Sequence, residues 1–355
     1  MALHKALALT FPGMADICAA EIRELTGIAA KELGEGVLFE TKNLADIFTA
    51  CYRLQSAIRV LLVVSDGALE ELKIPAEYLK GTTCISGKSS TQANELAEKL
   101  GTRQTYKNPD VPLYLHQECE HCFLGIDLTG DASKRDYRIF IGSETLSGVT
   151  AFGALALSGY APKHALLDPN CRAGSIVIEA AFAALQMPVR YYSKPKLPFV
   201  KLFNKEGVEG FFSSQDKAAK DKIPGAITAL SSQFPSVQAT RKNAKVAGVV
   251  KALDFSRTDT DWLDIKFEKQ SIDRVVTQPV ELSKNFPPDK FKKQATLFLE
   301  RCSFVLKKSG KLALILRQGM EEYKAMAKEK GLEFSQERAI MQGKERWNVL
   351  IFLKV

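Results

Sequence analysis

His164–Leu185, HALLDPNCRAGSIVIEAAFAAL, is the stretch on which the fold turns. HALLDP (164–169) has the pattern of a short buried strand, and Ile176, Val177, Ala180, Ala181 and Ala184 then recur at helical spacing. A strand that passes through a small-residue turn into a helix is the unit of a parallel sheet, and the unit repeats downstream. GAITALSS (225–232) reads as a second strand, and PSVQATRKNAKVAG (235–248) as a helix with Pro235 in its first turn and Gly248 at its end. VKALDFS (250–256), IDRVVTQP (272–279) and GKLALILR (310–317) read as further strands, with helices over 289–308 and about 320–331. The closing FSQERAIMQGKERWNVLIFLKV offers two strand-like runs around a glycine turn, an antiparallel hairpin. The pattern predicts an α/β fold, a parallel sheet with helices on both faces finished by a hairpin, whose ligand crevice lies at the carboxyl ends of the strands.

Upstream the pattern changes. ADICAAEIRELTG and NLADIFTACYRLQSA read as helices, and GVLFET, AIRVLLVV, DVPLYLH and CFLGIDLT as strands, so the first 150 residues are α+β. Between 187 and 224, lysines, aromatics and prolines stand with weak periodicity, the mark of an inserted surface element.

The 355 residues carry a net charge of +8 and are 46% hydrophobic, ample for ordinary cores and outside the range of a disordered or collagenous chain. No long uncharged apolar run is present and MALHKALALTFPG lacks a leader core, so the expectation is a cytoplasmic protein with no membrane partner. Seven scattered cysteines point to reduced thiols. The charge is uneven: residues 1–150 hold 15 basic and 20 acidic side chains (−5), and 151–355 hold 34 and 21 (+13), which sum to +8. A basic half suits a polyanion, a solubilising lysine surface being the plainer reading.

DPNCRAGSIVIEAA (168–181) resembles the DPxCGSGTxxIEAA motif of S-adenosylmethionine-dependent RNA methyltransferases that carry a THUMP domain. PSVQATRKNAKVAGV resembles the helix after their second strand, and VVTQP stands where they have VVTNPPY. TFPGMADICAAEI, YKNPDV, LGIDLTG and RDYR resemble their ferredoxin-like and THUMP portions. The resemblance implies a ferredoxin-like part (1–60), a THUMP RNA-binding domain (61–148) and a Rossmann-like methyltransferase domain (149–355) interrupted by 187–224. It also implies structured RNA, above all tRNA, as the partner, and N2-methylguanosine as the usual product. Such an enzyme must extrude a base and hold its exocyclic amine in line with the methyl group.

Carried over residue by residue, Asp168, Pro169, Cys171, Gly174, Ser175, Ser231 and Asp259 fall at cofactor-binding positions, and Gln278 and Pro279 at the catalytic ones. Departures concentrate there. Arg172 replaces the tight-turn glycine and would fill the methionine pocket or repel the sulfonium. Ser231 replaces the carboxylate that grips the ribose hydroxyls. Gln278 is one methylene longer than asparagine, Val280 loosens the turn, and Glu281 replaces the stacking tyrosine, removing roughly 1–3 kcal/mol of stacking and adding repulsion toward RNA. Phe286 is the nearby aromatic that could substitute.

Other constellations carry less. His116, Cys119, His121 and Cys122 include a CxxC, yet no second pair stands at zinc spacing, so the expectation is a hairpin turn and no metal. Cys171 has no histidine or aspartate placed to activate it. Arg190, Lys194 and Lys196, with Phe199, Phe203, Phe211 and Phe212 downstream, mix cations and rings as RNA surfaces do, though the rings could equally pin the segment down. Lys88, Arg103 and Lys107 are the RNA candidates of the first half. Three readings stay open: an RNA-binding member with methyl transfer weakened or lost, which could serve an active methyltransferase partner; an active guanosine-N2 methyltransferase with a remodelled site; and a non-catalytic structural partner protein.

Overall fold

The computed structural model describes residues 3–79, 81–142, 146–203, 205–282 and 287–355. The chain forms two compact units, one of Met1–Ser133 with Pro188–Ala218, the other of Lys134–Met187 with Ala219–Val355.

In the first unit, β1 (His4–Leu9), β2 (Lys31–Glu32), β3 (Gly36–Thr41), β4 (Arg59–Gly67), β5 (Thr83–Gly87), β6 (Val111–Glu118) and β7 (His121–Asp127) form one sheet in the order β2-β3-β1-β4-β7-β6-β5. The pairs are antiparallel except for β5 with β6. The boundary expected at 60 falls inside β4, which pairs with both β1 and β7, so residues 1–60 and 61–133 share a sheet. Helices α1 (Ala15–Thr26), α2 (Leu44–Arg53) and α3 (Ser90–Lys99) accompany it, and α2 and α3 begin on side-chain caps from Asn43 and Ser89.

The segment expected to interrupt the catalytic domain as a surface element instead packs into the first unit's core. Its short α6 (Phe199–Leu202) and α7 (Lys205–Asp216) place Phe199 flat on Phe48, ring centroids 4.6 Å apart, and Phe212 edge-on to Tyr52 at 4.9 Å. The Tyr52 hydroxyl donates to Asp216 at 2.8 Å. Burying a phenylalanine gains about 1.5–3 kcal/mol over leaving it in water, enough to draw the segment onto this apolar surface.

The second unit holds α4 (Gly148–Leu157), β8 (Leu166–Asp168), α5 (Ser175–Leu185), β9 (Ile227–Ser231), α8 (Phe234–Val246), β10 (Asp254–Arg257), α9 (Leu263–Lys266), β11 (Ile272–Thr277), α10 (Pro288–Val305), β12 (Leu306–Leu316), α11 (Met320–Glu329), β13 (Leu332–Gln342) and β14 (Glu345–Lys354). The sheet order is β10-β9-β8-β11-β12-β14-β13, parallel through β12 and antiparallel in the hairpin, as the sequence predicts. One strand is shorter than expected, because Val250–Ala252 is a turn of 3₁₀ helix and only Asp254–Arg257 pairs. RDYR, likened to the first domain, belongs here: Arg135 and Tyr137 both donate to the fully buried Glu179 of α5, at 2.8 Å each. Among the described residues no helix is long and apolar enough to cross a membrane.

Candidate functional site

Chain order reverses between β8 and β11, and an open parallel sheet splits there to form a crevice at the strands' carboxyl ends. The sequence places Asp168 on the last residue of β8 and Thr277 on that of β11, and the Thr277 hydroxyl donates to Asp168 Oδ1 at 2.7 Å. The Asn170 amide donates to the same oxygen at 3.1 Å, while Asn170 Nδ2 donates to the Gln278 carbonyl at 2.7 Å, tying the first turn to the fourth. Burial pushes the Asp168 carboxyl up to about 7, against the Thr277 and Asn170 hydrogen bonds and the Arg172 charge, which pull it down.

The turn after β8 is tight. Gly174 has φ +88°, and a Cβ there would stand 2.5 Å from Thr240 Cγ2 of α8, so only glycine fits. Thr240 in turn donates to the Arg172 carbonyl at 3.2 Å and to Cys171 Sγ at 3.3 Å. Asn243, fully buried one turn on, donates to the carbonyls of Ala173 and Phe140, both at 2.9 Å. The Ser175 hydroxyl is spent on the Leu146 carbonyl at 3.0 Å. Burial pushes the Cys171 thiol up to about 12, the opposite of an activated nucleophile.

Arg172 sits in this turn with φ +46°, left-handed backbone that costs a side-chain-bearing residue about 1–2 kcal/mol. Its guanidinium lies close enough to Asp168 to lower that carboxyl's pKa. It lines the crevice with Asp168, Asn170, Ser175 and Gln278, and the cavity they leave is about 10 Å3, room for about one water.

The other expected residues lie around this edge. Ser231 closes β9, 2% exposed, its hydroxyl accepting from the Gln233 amide at 3.1 Å. Asp259 is exposed just beyond β10, accepting from the Asp261 amide at 3.2 Å and capping the next turn. Glu281 does not stand free to repel RNA: it accepts from the Arg317 amide at 2.8 Å and from its Nη2 at 3.3 Å. Pro279 is buried. Phe286 lies outside the described residues.

Of the RNA candidates, Arg103 and Lys107 are exposed and flank Tyr106, which is 75% exposed. Lys88 is exposed but paired with Glu35, and Lys196 is exposed. Arg190 is buried, its Nη2 on the Thr129 carbonyl at 3.4 Å, so it anchors its segment instead of facing RNA. Lys194 pairs with Asp216 and covers the Tyr191 ring at 4.2 Å. Cys119 begins the tight turn between β6 and β7, the expected hairpin. Sequence reasoning missed Glu179 and Asn243, which lie inside quoted motifs but whose partners are distant in the chain.

Residues 135–347, more than half of the chain, match the family model described as UPF0020, RMKL-like, methyltransferase domain. The chain belongs to this family. The match begins at Arg135, where the second unit begins to assemble on Glu179. The tRNA (guanine(6)-N2)-methyltransferase of Methanocaldococcus jannaschii is 24% identical over 261 residues, 73% of this chain and 68% of that protein. The ribosomal RNA large subunit methyltransferase K/L of Photobacterium profundum is 23% identical over 295 residues, 74% of this chain but 41% of that longer protein. A solved protein from Clostridium difficile 630, titled "a possible methylase", superposes with a TM-score of 0.83 at 19% identity, covering 100% of this chain and 99% of its own. TrmN from Thermus thermophilus superposes at 0.69 and 19% identity, covering 99% and 100%. These likenesses establish the fold.

S-adenosylmethionine is the cofactor of RMKL-like methyltransferases. Clefts that bury ligands of comparable size run to about 300–1,000 Å3. The crevice beside Asp168 offers about 10 Å3 and is lined by a guanidinium, which repels a sulfonium. In this RMKL-like chain the crevice beside Asp168, with Arg172 in place, is too small for the cofactor's methionine portion.

Proposed function

We propose that the protein is an RNA-binding RMKL-like methyltransferase relative in which methyl transfer is weakened or lost, with tRNA the favoured RNA. The observation that carries the reading is Arg172: a left-handed turn residue with its charge beside Asp168, where the cofactor's methionine portion would lie. The first unit is proposed as the THUMP-type RNA module, contacting a structured end through exposed Arg103, Tyr106 and Lys107. Lys88, paired with Glu35, and Lys196 are further exposed lysines on which this reading draws.

A second reading, an active guanosine-N2 methyltransferase with a remodelled site, draws on the names of the archaeal relatives from Methanocaldococcus jannaschii and Archaeoglobus fulgidus. In that reading Gln278 and the Pro279 carbonyl orient the target amine. The two are separated by incubating the full chain with unfractionated tRNA and methyl-labelled S-adenosylmethionine, with gel shifts at two ionic strengths alongside. Salt-sensitive binding without label in the RNA supports the first reading; stoichiometric label would establish the second. Absence of binding at either ionic strength would leave a structural partner protein.

A further inference from the structure

A second cleft, about 410 Å3, shares Arg172 and Ala173 with the crevice but opens between Phe140–Gly142 and the first turns of α8, where Pro235, Ser236 and Ala239 line it. We propose that it holds one nucleotide of the bound RNA, the base against Phe140 and Ile141 and the phosphate on Arg172. The inference rests on the RNA-binding reading and names a contact site for it within the second unit.

Three features suit that ligand. The walls are mainly apolar, with Arg172 and the Ser236 hydroxyl as polar groups, and no carboxylate stands among the described residues that line the cleft. Such a surface takes a planar ring and a negative charge together, and a guanidinium pairs with phosphate oxygens in bidentate fashion. Phe140 is 40% exposed, yet its backbone is clamped on both sides by the buried Asn243, which accepts from the Phe140 amide and donates to its carbonyl, each at 2.9 Å. An exposed ring on so firmly held a backbone is a ready stacking platform, because little backbone entropy remains to be lost on binding. Finally, Lys242 Nζ stands 4.7 Å from the Phe140 ring centroid, and the N-terminus of α8, with no acidic residue in its first turn, adds its own positive partial charge at the cleft.

The test is titration of the full chain with guanosine 5′-monophosphate, guanosine and inorganic phosphate, with competition by tRNA and by S-adenosylmethionine. Two variants accompany it: Ala239→Phe, which fills the cleft, and Ile141→Glu, which puts a carboxylate at the 59% exposed Ile141. The proposal expects the nucleotide to bind at least about tenfold more tightly than guanosine, both variants to lose about tenfold or more, and tRNA to displace it. Wild-type affinity in both variants overturns it. So does a tRNA complex with no nucleotide binding at millimolar ligand, which would leave the RNA reading standing. Nucleotide binding that tRNA does not compete would overturn the assignment to RNA and leave a free-nucleotide site. Displacement by S-adenosylmethionine alone would make the cleft part of the cofactor site and refute its separateness.

Discussion

Replacing Asp168 by asparagine should stabilise the second unit at neutral and alkaline pH. The carboxyl is 1% exposed, and burial raises it from an ordinary 3.8 to about 7. Below 3.8 the group is neutral in both folded and unfolded chains and has no differential effect. Between 3.8 and about 7 the unfolded chain releases the proton while the folded chain keeps it, so folding stability falls as pH rises. Above that window the full penalty is in place, about 4 kcal/mol at ~1.4 kcal/mol per pH unit. Asparagine keeps an oxygen for the Thr277 and Asn170 bonds of 2.7 and 3.1 Å while removing the charge, whose penalty is already net of the Arg172 attraction, so a gain of up to about 4 kcal/mol is expected. Both tryptophans, Trp262 and Trp347, lie in the second unit and report its unfolding by fluorescence. Urea titrations across pH should show wild type and Asp168→Asn together at about pH 4, separating as pH rises and running parallel above about pH 8. A gap independent of pH, or an asparagine variant less stable at about pH 8, would refute the reasoning.

Other outcomes follow from the same geometry. Gly174→Ala combines a φ of +88° with a 2.5 Å approach to Thr240 and should cost about 1–3 kcal/mol or more, read in the same urea assay. Glu179→Leu removes the buried carboxylate that accepts from Arg135 and Tyr137 and should cost about 3–5 kcal/mol, whereas Arg135→Met with Glu179→Leu should recover much of it, as thermal melts would register. Phe199→Ala removes a fully buried ring stacked on Phe48 and should destabilise the first unit by about 3–5 kcal/mol, with proteolytic cleavage appearing first within 188–218.

The second unit was legible because most of its strands carry Leu, Ile or Val and most of the helices that follow them announce themselves by spacing and punctuation, an alternation that predicts a parallel sheet closed by a hairpin. The α4 helix escaped because GVTAFGALAL is apolar on nearly every face and shows no stripe. Strands β1 (HKALAL) and β5 (TCISG) carry few β-branched or aromatic residues, so neither stands out as a strand by composition although Pro12-Gly13 and Gly81 mark turns beside them. The 188–218 segment could not be assigned from sequence: its phenylalanines announce burial but not the partner, and Phe48 and Tyr52 lie about 150 residues away in the chain. At the site, Asp168, Ser231 and Gln278 at or beside strand ends, and Gly174 at the start of α5, were found because the family motif could be laid onto the chain residue by residue. The buried Glu179 with Arg135 and Tyr137, and the Asn243 clamp on Phe140, are long-range pairings that no local pattern encodes. Glu281 was misjudged for the same reason, since its neutralising partner Arg317 lies one strand over.

The central claim is that Arg172 closes the cofactor crevice of an RMKL-like domain whose sheet is kept. Calorimetric titration with S-adenosylmethionine, comparing wild type with Arg172→Gly and with Arg172→Gly combined with Ser231→Asp, tests it most directly, because glycine suits the left-handed turn and the variants should fold. No detectable heat for wild type at millimolar ligand, with binding appearing in the single variant and tightening in the double, is the expected result. Micromolar binding by wild type, or an affinity that Arg172→Gly leaves unchanged, would contradict it.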